Sequence, residues 1–153
     1  MERTLLLVKP DGVQRALVGR ILARFEEKGL RIAALKVTRI TPALAARHYA
    51  PHKEKPFYKG LVEYMTSAPV VAAVLEGPRA VEVTRALMGA TFGWKAAPGT
   101  IRGDFGSSTA LNLVHGSDSP ESAVKEIKLF FRPAEILGYE RALDRWLVAS
   151  DDA

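Results

Sequence analysis

The segment from Asn112 to Ser119 carries the clearest chemical signal in the sequence, because a histidine follows an apolar run and precedes a helix start. After His115 comes Gly116, which has no Cβ atom and lets a ligand approach the backbone. The helix predicted to follow Ser119 adds free N–H groups and a partial positive charge, which favour an anion. A histidine with the usual pKa of about 6.5 is largely neutral at physiological pH. The pattern is typical of a histidine that meets a phosphate, although a histidine that only caps a turn fits it equally well.

Glu126 follows on the same predicted helix and is a candidate to orient the imidazole through its other nitrogen. A second candidate is Arg102, which lies in the glycine-rich segment 97–106 and offers the paired donors that suit a phosphate. This segment is no Walker loop, since it lacks the glycine-lysine-serine/threonine triplet, and a solvated arginine in a surface turn fits it as well. Three further residues matter only if folding gathers them around the histidine: Lys9, Arg85 and Thr91.

Apolar and aromatic side chains recur at helical spacing after Pro51: Phe57, Leu61 and Tyr64. Core packing accounts for such a stripe, although an exposed Phe57 is able to stack on any base. His48 and His52 stand four residues apart and suggest a metal site. Because Pro51 interrupts the helix between them and no third ligand is evident, we interpret both histidines as surface residues.

Composition limits the classes of protein that this chain can belong to. Its 153 residues, 48% hydrophobic and 25% charged, fit a single globular domain over residues 1–153. The absence of cysteine excludes disulfides and thiolate metal sites. The longest apolar run, 70–75, is far shorter than the roughly 20 residues that span a bilayer. With no signal-peptide pattern either, the cytosol is the expected location and no membrane partner is expected.

The formal net charge of +5 is compatible with phosphates, with nucleic acid or with simple solubility. No run of five basic residues occurs, so nucleic acid is not expected as the main ligand.

The elements that must position the candidate residues follow from periodicity and cap signals. Apolar runs predict strands over residues 4–8, 30–40, 69–75 and 110–114. Helices are predicted over 17–28, as a split pair over 42–67, and over 81–89 and 119–131, with a loop over 90–106 and a helical extension from residue 133. This order is that of an α+β, ferredoxin-like βαββαβ fold: a four-stranded antiparallel sheet covered by helices, with a helical insertion.

At its motifs the chain resembles the nucleoside diphosphate kinase family. The resemblance runs from Thr4 to about Trp146 and rests on Val8-Lys9-Pro10-Asp11-Gly12, Lys55-Pro56-Phe57-Tyr58, Ala97-Pro98-Gly99-Thr100-Ile101-Arg102-Gly103-Asp104-Phe105 and His115-Gly116-Ser117-Asp118-Ser119. It implies ping-pong transfer of the γ-phosphate from a nucleoside triphosphate to a diphosphate through a phosphohistidine, with broad base and sugar tolerance. ATP and other nucleoside tri- and diphosphates are the implied ligands, and Mg²⁺ is the implied cofactor, held mainly by nucleotide phosphates rather than by the protein.

The resemblance also assigns roles by position. It implies His115 as the nucleophile, with Glu126 and Ser117 orienting the imidazole and Tyr49 packing beside it. The implied phosphate clamp is Arg85, Arg102 and Thr91, and the implied sugar contacts are Lys9 and Asn112, with Lys9 also near the phosphates. Phe57 is expected to stack on the base, with Leu61 and Thr109 lining its other side.

A homo-oligomer built from dimers is implied as well, with a hexamer expected and a dimer or tetramer left open. The segment Phe92-Gly93-Trp94 departs from the family pattern in a loop that commonly makes subunit contacts. Two other functions remain open from the residues alone. One is a regulator that binds nucleotide or nucleic acid without catalysis, and the other is a histidine phosphorelay that passes phosphate to another protein.

Overall fold

The computed structural model describes residues 1–152 and contains a four-stranded antiparallel sheet. Its strands are β1 (Glu2–Val8), β2 (Arg31–Thr38), β3 (Val70–Gly77) and β4 (Val114–Gly116). They lie in the order β2-β3-β1-β4, so the first and last strands of the chain are neighbours. This arrangement confirms the predicted ferredoxin-like α+β class.

Seven α-helices connect and cover the strands in the described part of the chain: α1 (Pro10–Gln14), α2 (Val18–Glu27), α3 (Pro42–His48), α4 (Tyr58–Thr66), α5 (Ala80–Met88), α6 (Ile101–Phe105) and α7 (Pro120–Phe130). Single turns of 3-10 helix lie at Ala50–His52, Gly93–Lys95, Pro133–Glu135 and Asp144–Trp146. The predicted insertion is α3 and α4, separated by the turn that contains Pro51. Among residues 1–152, none of these helices is long and apolar enough to cross a membrane.

Successive side chains of a strand point to opposite faces of the sheet. Helices cover both faces, so the sheet is the middle layer of the molecule. Leu5 and Leu7 of β1 pack into a core under α3, α4 and α7. Leu6 and Val8 pack into a second core under α2, α5 and α6. Both faces are therefore covered, and β3 is buried at every position.

Two helix starts that the sequence predicts are confirmed. The Thr41 hydroxyl accepts a hydrogen bond from the Leu44 N–H (3.1 Å), and the Ser119 hydroxyl accepts one from the Ser122 N–H (3.0 Å). Each cap is followed by proline at the first helical position, where a missing N–H costs nothing. The second cap fixes the start of α7, which carries Glu126.

The predicted fourth strand over 110–114 is wrong in position, since β4 spans Val114–Gly116. Leu113 has a positive φ of 73°, which ends any extended run before it. The Leu113 carbonyl accepts a hydrogen bond from the Lys9 N–H (2.8 Å), next to the first paired residues, Val8 and Val114. His115 consequently lies within the strand, opposite Leu7 of β1, rather than after its end.

The predicted loop over 90–106 contains a short helix, α6, that carries Arg102. Thr100 caps this helix by accepting a hydrogen bond from the Gly103 N–H (3.0 Å), and Ile101 anchors it in the core. Its five residues are too few to show helical periodicity, so the sequence pattern indicated only a loop.

The C-terminal extension contains only two 3-10 turns, although the sequence predicts it to be helical. Its backbone instead follows the edge of β2, where the Leu137 N–H donates to the Ala33 carbonyl (2.9 Å). Further along, the Arg141 guanidinium donates to the carbonyls of Gly29 (2.9 Å) and Leu30 (3.2 Å). These contacts with the edge of the sheet replace the hydrogen bonds of a continuous helix.

Gly103 gives a direct test of how tightly α6 is held. A Cβ atom at this position would lie 1.9 Å from the Ala97 carbonyl oxygen, so Gly103→Ala must displace α6. We expect it to lower the free energy of unfolding by about 1–3 kcal/mol. In Gly60→Ala, the matched control in α4, the new methyl group meets nothing within 4 Å, and a gain of about 0.4–1 kcal/mol is expected. Urea unfolding measures both, and equal stability of the two variants would contradict the packing argument.

Candidate active site

A cleft of about 670 Å³ opens between the α3–α4 insertion and the elements that follow β3. That volume lies within the range of small-molecule sites. Of the residues predicted to act in the site, ten line this cleft: Lys9, Tyr49, Phe57, Leu61, Arg85, Thr91, Arg102, Asn112, His115 and Glu126. Residues far apart in the sequence meet here because β1 and β4 are neighbours in the sheet.

The central contact of the cleft joins His115 on β4 to Glu126 on α7. The His115 Nε2 atom lies 2.7 Å from the Glu126 Oε2 atom. Burial raises the pKa of Glu126, but the hydrogen bond with His115 and the nearby imidazoles outweigh burial and hold it below its usual range. Glu126 is therefore ionised and accepts a hydrogen bond from Nε2. This bond selects the tautomer of the neutral imidazole in which Nδ1 carries the free lone pair.

Ser117 lies behind this pair rather than in the cleft. It is fully buried, and its hydroxyl oxygen accepts a hydrogen bond from the Leu5 N–H (3.3 Å). Its side chain also hydrogen-bonds to Glu126 and contributes to the lowered pKa of that carboxyl. The structure thus brings Ser117 against the carboxylate and not against the imidazole.

His48 is buried beside His115, so its interpretation as a surface residue is wrong. Its side chain is 2% exposed, and its ring centroid lies 5.0 Å from that of His115 in an edge-to-face arrangement. Burial, and next the neighbouring His115, lower the pKa of His48 to about 4, so the ring is neutral. The available signal was the spacing of Ala45, His48 and Tyr49, which places all three on the buried face of α3.

Two other side chains of the insertion complete this wall of the cleft. Tyr49 is buried with its ring 4.5 Å from that of His48, and burial raises the pKa of its phenol. His52 is half-buried, and its Nδ1 atom lies 2.9 Å from the Lys55 Nζ atom, so it stands apart from the two other histidines.

The opposite wall holds the cations Lys9, Arg85 and Arg102. Arg102 is buried, and its guanidinium donates to the carbonyls of Asn112 (3.1 Å), Gly89 (3.1 Å) and Val114 (2.7 Å). Burial, and next the charge of Arg85, lower the pKa of Arg102 to about 10, which leaves it charged. Within residues 1–152, none of the cleft cations Lys9, Arg85 and Arg102 forms an ion pair. Uncompensated cations in a cleft attract anions.

Lys9 and Asn112 connect this wall to the loop that follows α5. The Lys9 Nζ atom donates to the Asn112 Oδ1 atom (2.7 Å), and the Asn112 Nδ2 atom donates to the Thr91 carbonyl (3.1 Å). Burial, and next the charge of Arg102, lower the pKa of Lys9 to about 8. On α5, Arg85 donates to the Gly116 carbonyl at 3.3 Å.

Apolar side chains form the mouth of the cleft. Phe57 is 53% exposed immediately before α4, and Leu61 lies one turn further along that helix. The structure does not bring Thr109 to this wall, since Thr109 is exposed in the turn before β4 and does not line the cleft. A flat, exposed aromatic ring at the mouth is suited to stacking on another ring.

Comparison with known proteins was consistent across sequence and structure. The sequence model of the family described as Nucleoside diphosphate kinase matches residues 2–136. A nucleoside diphosphate kinase of Thermus thermophilus is 61% identical over 137 residues, covering 90% of this chain and 100% of that protein. One of Thermomicrobium roseum is 55% identical over 148 residues, covering 97% and 99%. A solved halophilic nucleoside diphosphate kinase of Halobacterium salinarum, in complex with CDP, has a TM-score of 0.95 at 49% identity, covering 97% of this chain and 99% of that one.

The fold and these matches together place the chain in a class of α+β phosphotransferases. More particularly, the chain belongs to the nucleoside diphosphate kinase family. The resemblance read from the sequence motifs is thereby confirmed.

The pKa of Lys9 predicts how nucleotide affinity depends on pH. The amine is charged below pH about 8 and neutral above it, and a bound phosphate favours the charged form. We therefore expect ADP affinity to fall as pH rises past this value, by up to about tenfold per pH unit, with proton uptake on binding. The phosphates of ADP do not cause the change, because their last pKa is about 6.

Calorimetric titration with ADP in buffers of different ionisation enthalpy measures both the affinity and the proton uptake. The matched control is Lys9→Arg, which keeps the charge but does not titrate in this range. An equal loss of affinity in wild type and Lys9→Arg would assign the titration to another group.

Proposed function

We propose that this chain catalyses ping-pong transfer of the γ-phosphate from a nucleoside triphosphate to a nucleoside diphosphate, with His115 carrying the phosphoryl group. One observation supports this above the others. A histidine whose Nε2 atom is hydrogen-bonded to a carboxylate lies in a cleft where, within residues 1–152, the cations Lys9, Arg85 and Arg102 form no ion pair. Such a site is suited to bringing a polyphosphate to a neutral, nucleophilic nitrogen.

In the first half-reaction the Nδ1 lone pair of His115 attacks the γ-phosphorus. A P–N bond forms, the bond between that phosphorus and the β,γ-bridging oxygen breaks, and its electron pair leaves with the nucleoside diphosphate. The imidazole ring gains positive charge in this step, and the Glu126 carboxylate on Nε2 stabilises it. A second diphosphate then reverses these bond changes. One phosphoanhydride is broken and another is formed, so the overall reaction is nearly isoergic.

Positioning and charge neutralisation are the main tasks of the protein in such a transfer. Arg85 and Arg102 are suited to the β- and γ-phosphates, and Thr91 lies at the same end of the cleft. Lys9 and Asn112, already joined by a hydrogen bond, are suited to the sugar hydroxyls, with Lys9 also near the phosphates. Tyr49 and Ser117 are positioning residues in this proposal, because the first packs against His48 and the second hydrogen-bonds to Glu126.

Mg²⁺ fits this scheme as part of the nucleotide. The residues 1–152 offer one cluster of metal-ligand type in the cleft, His48, His115 and Glu126. Two of these three donors are imidazole nitrogens, whereas Mg²⁺ prefers oxygen ligands in octahedral geometry. In many proteins substrate phosphates supply several of those oxygens. We therefore propose that nucleotide phosphates hold the ion, where it would neutralise their charge.

Broad base tolerance is proposed from the apolar mouth of the cleft. Stacking on Phe57 and contact with Leu61 do not depend on the hydrogen-bonding edge of a base. A contact of Thr109 with the base stays a prediction from the family resemblance.

Assembly into a homo-oligomer built from dimers is also proposed. β2 is an edge strand, and Leu35 (50% exposed) and Val37 (71% exposed) present apolar side chains from it. The C-terminal extension hydrogen-bonds to this edge at Ile32 and Ala33, before these two residues. An edge strand that presents apolar side chains favours association. For location we propose the cytosol, where a cysteine-free chain needs no oxidising environment.

A label-and-chase experiment tests the phosphohistidine. Wild type is mixed with Mg²⁺ and γ-labelled ATP, isolated and then given unlabelled GDP. We expect the label to enter the protein, to be lost in acid, to survive alkali and to move to GDP. His115→Ala should stay unlabelled, provided that it still binds ADP and melts cooperatively.

The other outcomes favour other functions. A folded, nucleotide-binding wild type that takes up no label would contradict the proposal and favour a binding regulator. Label that enters His115 but leaves for no diphosphate would favour a phosphorelay.

Replacement of Phe57 tests the proposed stacking. Phe57→Ala removes the ring and should raise the KM for ADP, GDP and CDP alike, by the equivalent of about 1–3 kcal/mol. Phe57→Tyr is the matched control, because it keeps the aromatic face and should leave KM nearly unchanged. Steady-state kinetics with the three acceptors measures this. A loss confined to one base would mean that the mouth reads base identity rather than stacking on any base.

A further inference from the structure

His48 has an unusual environment for a buried polar side chain. Its side chain is 2% exposed, yet among residues 1–152 neither Nδ1 nor Nε2 finds a hydrogen-bond partner. Buried imidazole nitrogens are nearly always bonded to something, so a group left unpaired in this way calls for a partner. The mechanism proposed above gives the nitrogens of His48 no role.

Two polar side chains, His115 and Glu126, lie close to His48. The His48 Nδ1 atom lies 3.9 Å from the Glu126 Oε2 atom, which is itself 2.7 Å from the His115 Nε2 atom. One donor atom from each of the three residues falls within 4.8 Å of the other two. The three come from separate elements, since His48 ends α3, His115 lies in β4 and Glu126 lies in α7.

Two imidazole nitrogens and one carboxylate oxygen are a donor set with a definite metal preference. Imidazole suits Zn²⁺, Cu²⁺, Ni²⁺ and Co²⁺ far better than Mg²⁺. Two histidines with one glutamate, plus one open position, is a known ligand set for Zn²⁺. We propose that His48, His115 and Glu126 form a binding site for a divalent transition-metal ion of the Zn²⁺ class, distinct from the Mg²⁺ that accompanies the nucleotide.

Binding exchanges one proton for the metal ion, so the charge of the site rises by one. The metal takes the place of the proton on His115 Nε2, which is released to solvent, and it inserts between that nitrogen and the Glu126 carboxylate. Bonds of about 2.0–2.2 Å from the ion to each donor fit ligand atoms that are farther apart than a hydrogen bond. The 2.7 Å between His115 Nε2 and Glu126 Oε2 is shorter than two ligands of one ion need, and the 3.9 Å between His48 Nδ1 and Glu126 Oε2 is longer. Small side-chain movements therefore complete the site.

A consequence for catalysis follows, and it rests on the proposed function. A metal ion on Nε2 withdraws electrons from the ring and removes the Glu126 carboxylate that would stabilise the attacking imidazole. Phosphoryl transfer to Nδ1 would then be inhibited, and chelation would restore it. The binding of the metal itself depends only on the three ligands.

Metal binding to the full chain without nucleotide is the direct test. Equilibrium dialysis with Zn²⁺ is expected to show one ion per chain, and Co²⁺ should give the visible absorption of a four-coordinate site with nitrogen ligands. His48→Gln removes one ligand and should weaken Zn²⁺ by more than the roughly 10–100-fold that loss of an outer-shell partner costs. His52→Gln is the matched control, because His52 lies outside the cluster, and its Zn²⁺ affinity should equal that of wild type.

A second measurement keeps the proposal testable if His48→Gln does not fold. The chain has three histidines, so each imidazole can be assigned by NMR. Zn²⁺ should shift the ring signals of His48 and His115 while leaving those of His52 in place. No ion bound to wild type, equal affinity in wild type and His48→Gln, or shifts confined to His52 would each overturn the site. Label-and-chase without Zn²⁺ is independent of these results, so failure of the proposed function remains distinguishable.

Discussion

The buried charge of Arg102 is the constraint around which one side of the molecule is organised. Its guanidinium is held by backbone carbonyls from the end of α5, from the turn before β4 and from β4 itself. A cation buried without a carboxylate needs such acceptors, because desolvation would otherwise be too costly. The cap at Thr100 begins the short helix that carries Arg102, and two of the acceptors, Asn112 and Val114, lie on either side of the start of β4. As a result, the cleft is positively charged and open to an anion.

The other wall depends on a single carboxylate. Glu126 contacts His115, approaches His48 and hydrogen-bonds to Ser117, and it is the acidic group nearest to both imidazoles. It fixes the ring of His115 and decides which nitrogen keeps a free lone pair. Because α7 carries it and α3 carries His48, the packing of these two helices over β1 sets the geometry of the site.

The sequence predicted the order of the elements and most of the cleft, because these follow from periodicity, caps and local motifs. Thr41 and Ser119 were identified as caps because a cap acts on its own next turn. Tertiary contacts determine the features that the sequence patterns did not predict. The positive φ of Leu113 makes β4 begin later than predicted. The helix α6, in which Gly103 packs closely against the Ala97 carbonyl, is too short to show helical periodicity in the sequence. The spacing of Ala45, His48 and Tyr49 indicates one face of α3, but that this face is buried, and that it meets His115, depends on the packing of α3 against α7.

The cations of one wall repel a metal ion, whereas the Glu126 carboxylate of the other wall attracts it. Lys9 disfavours positive charge on His48, and Arg85 and Arg102 extend the same field across the cleft. Glu126 lies within 4 Å of an imidazole nitrogen of both His48 and His115, so its negative charge offsets that field at short range, where Coulomb energies are largest. A phosphate bound to the cations would weaken their repulsion of a metal, while a metal bound to Glu126 would deprive His115 of its carboxylate. Anion binding and metal binding are therefore coupled through charge even where their ligands differ, and Glu126 is the residue at which the two meet.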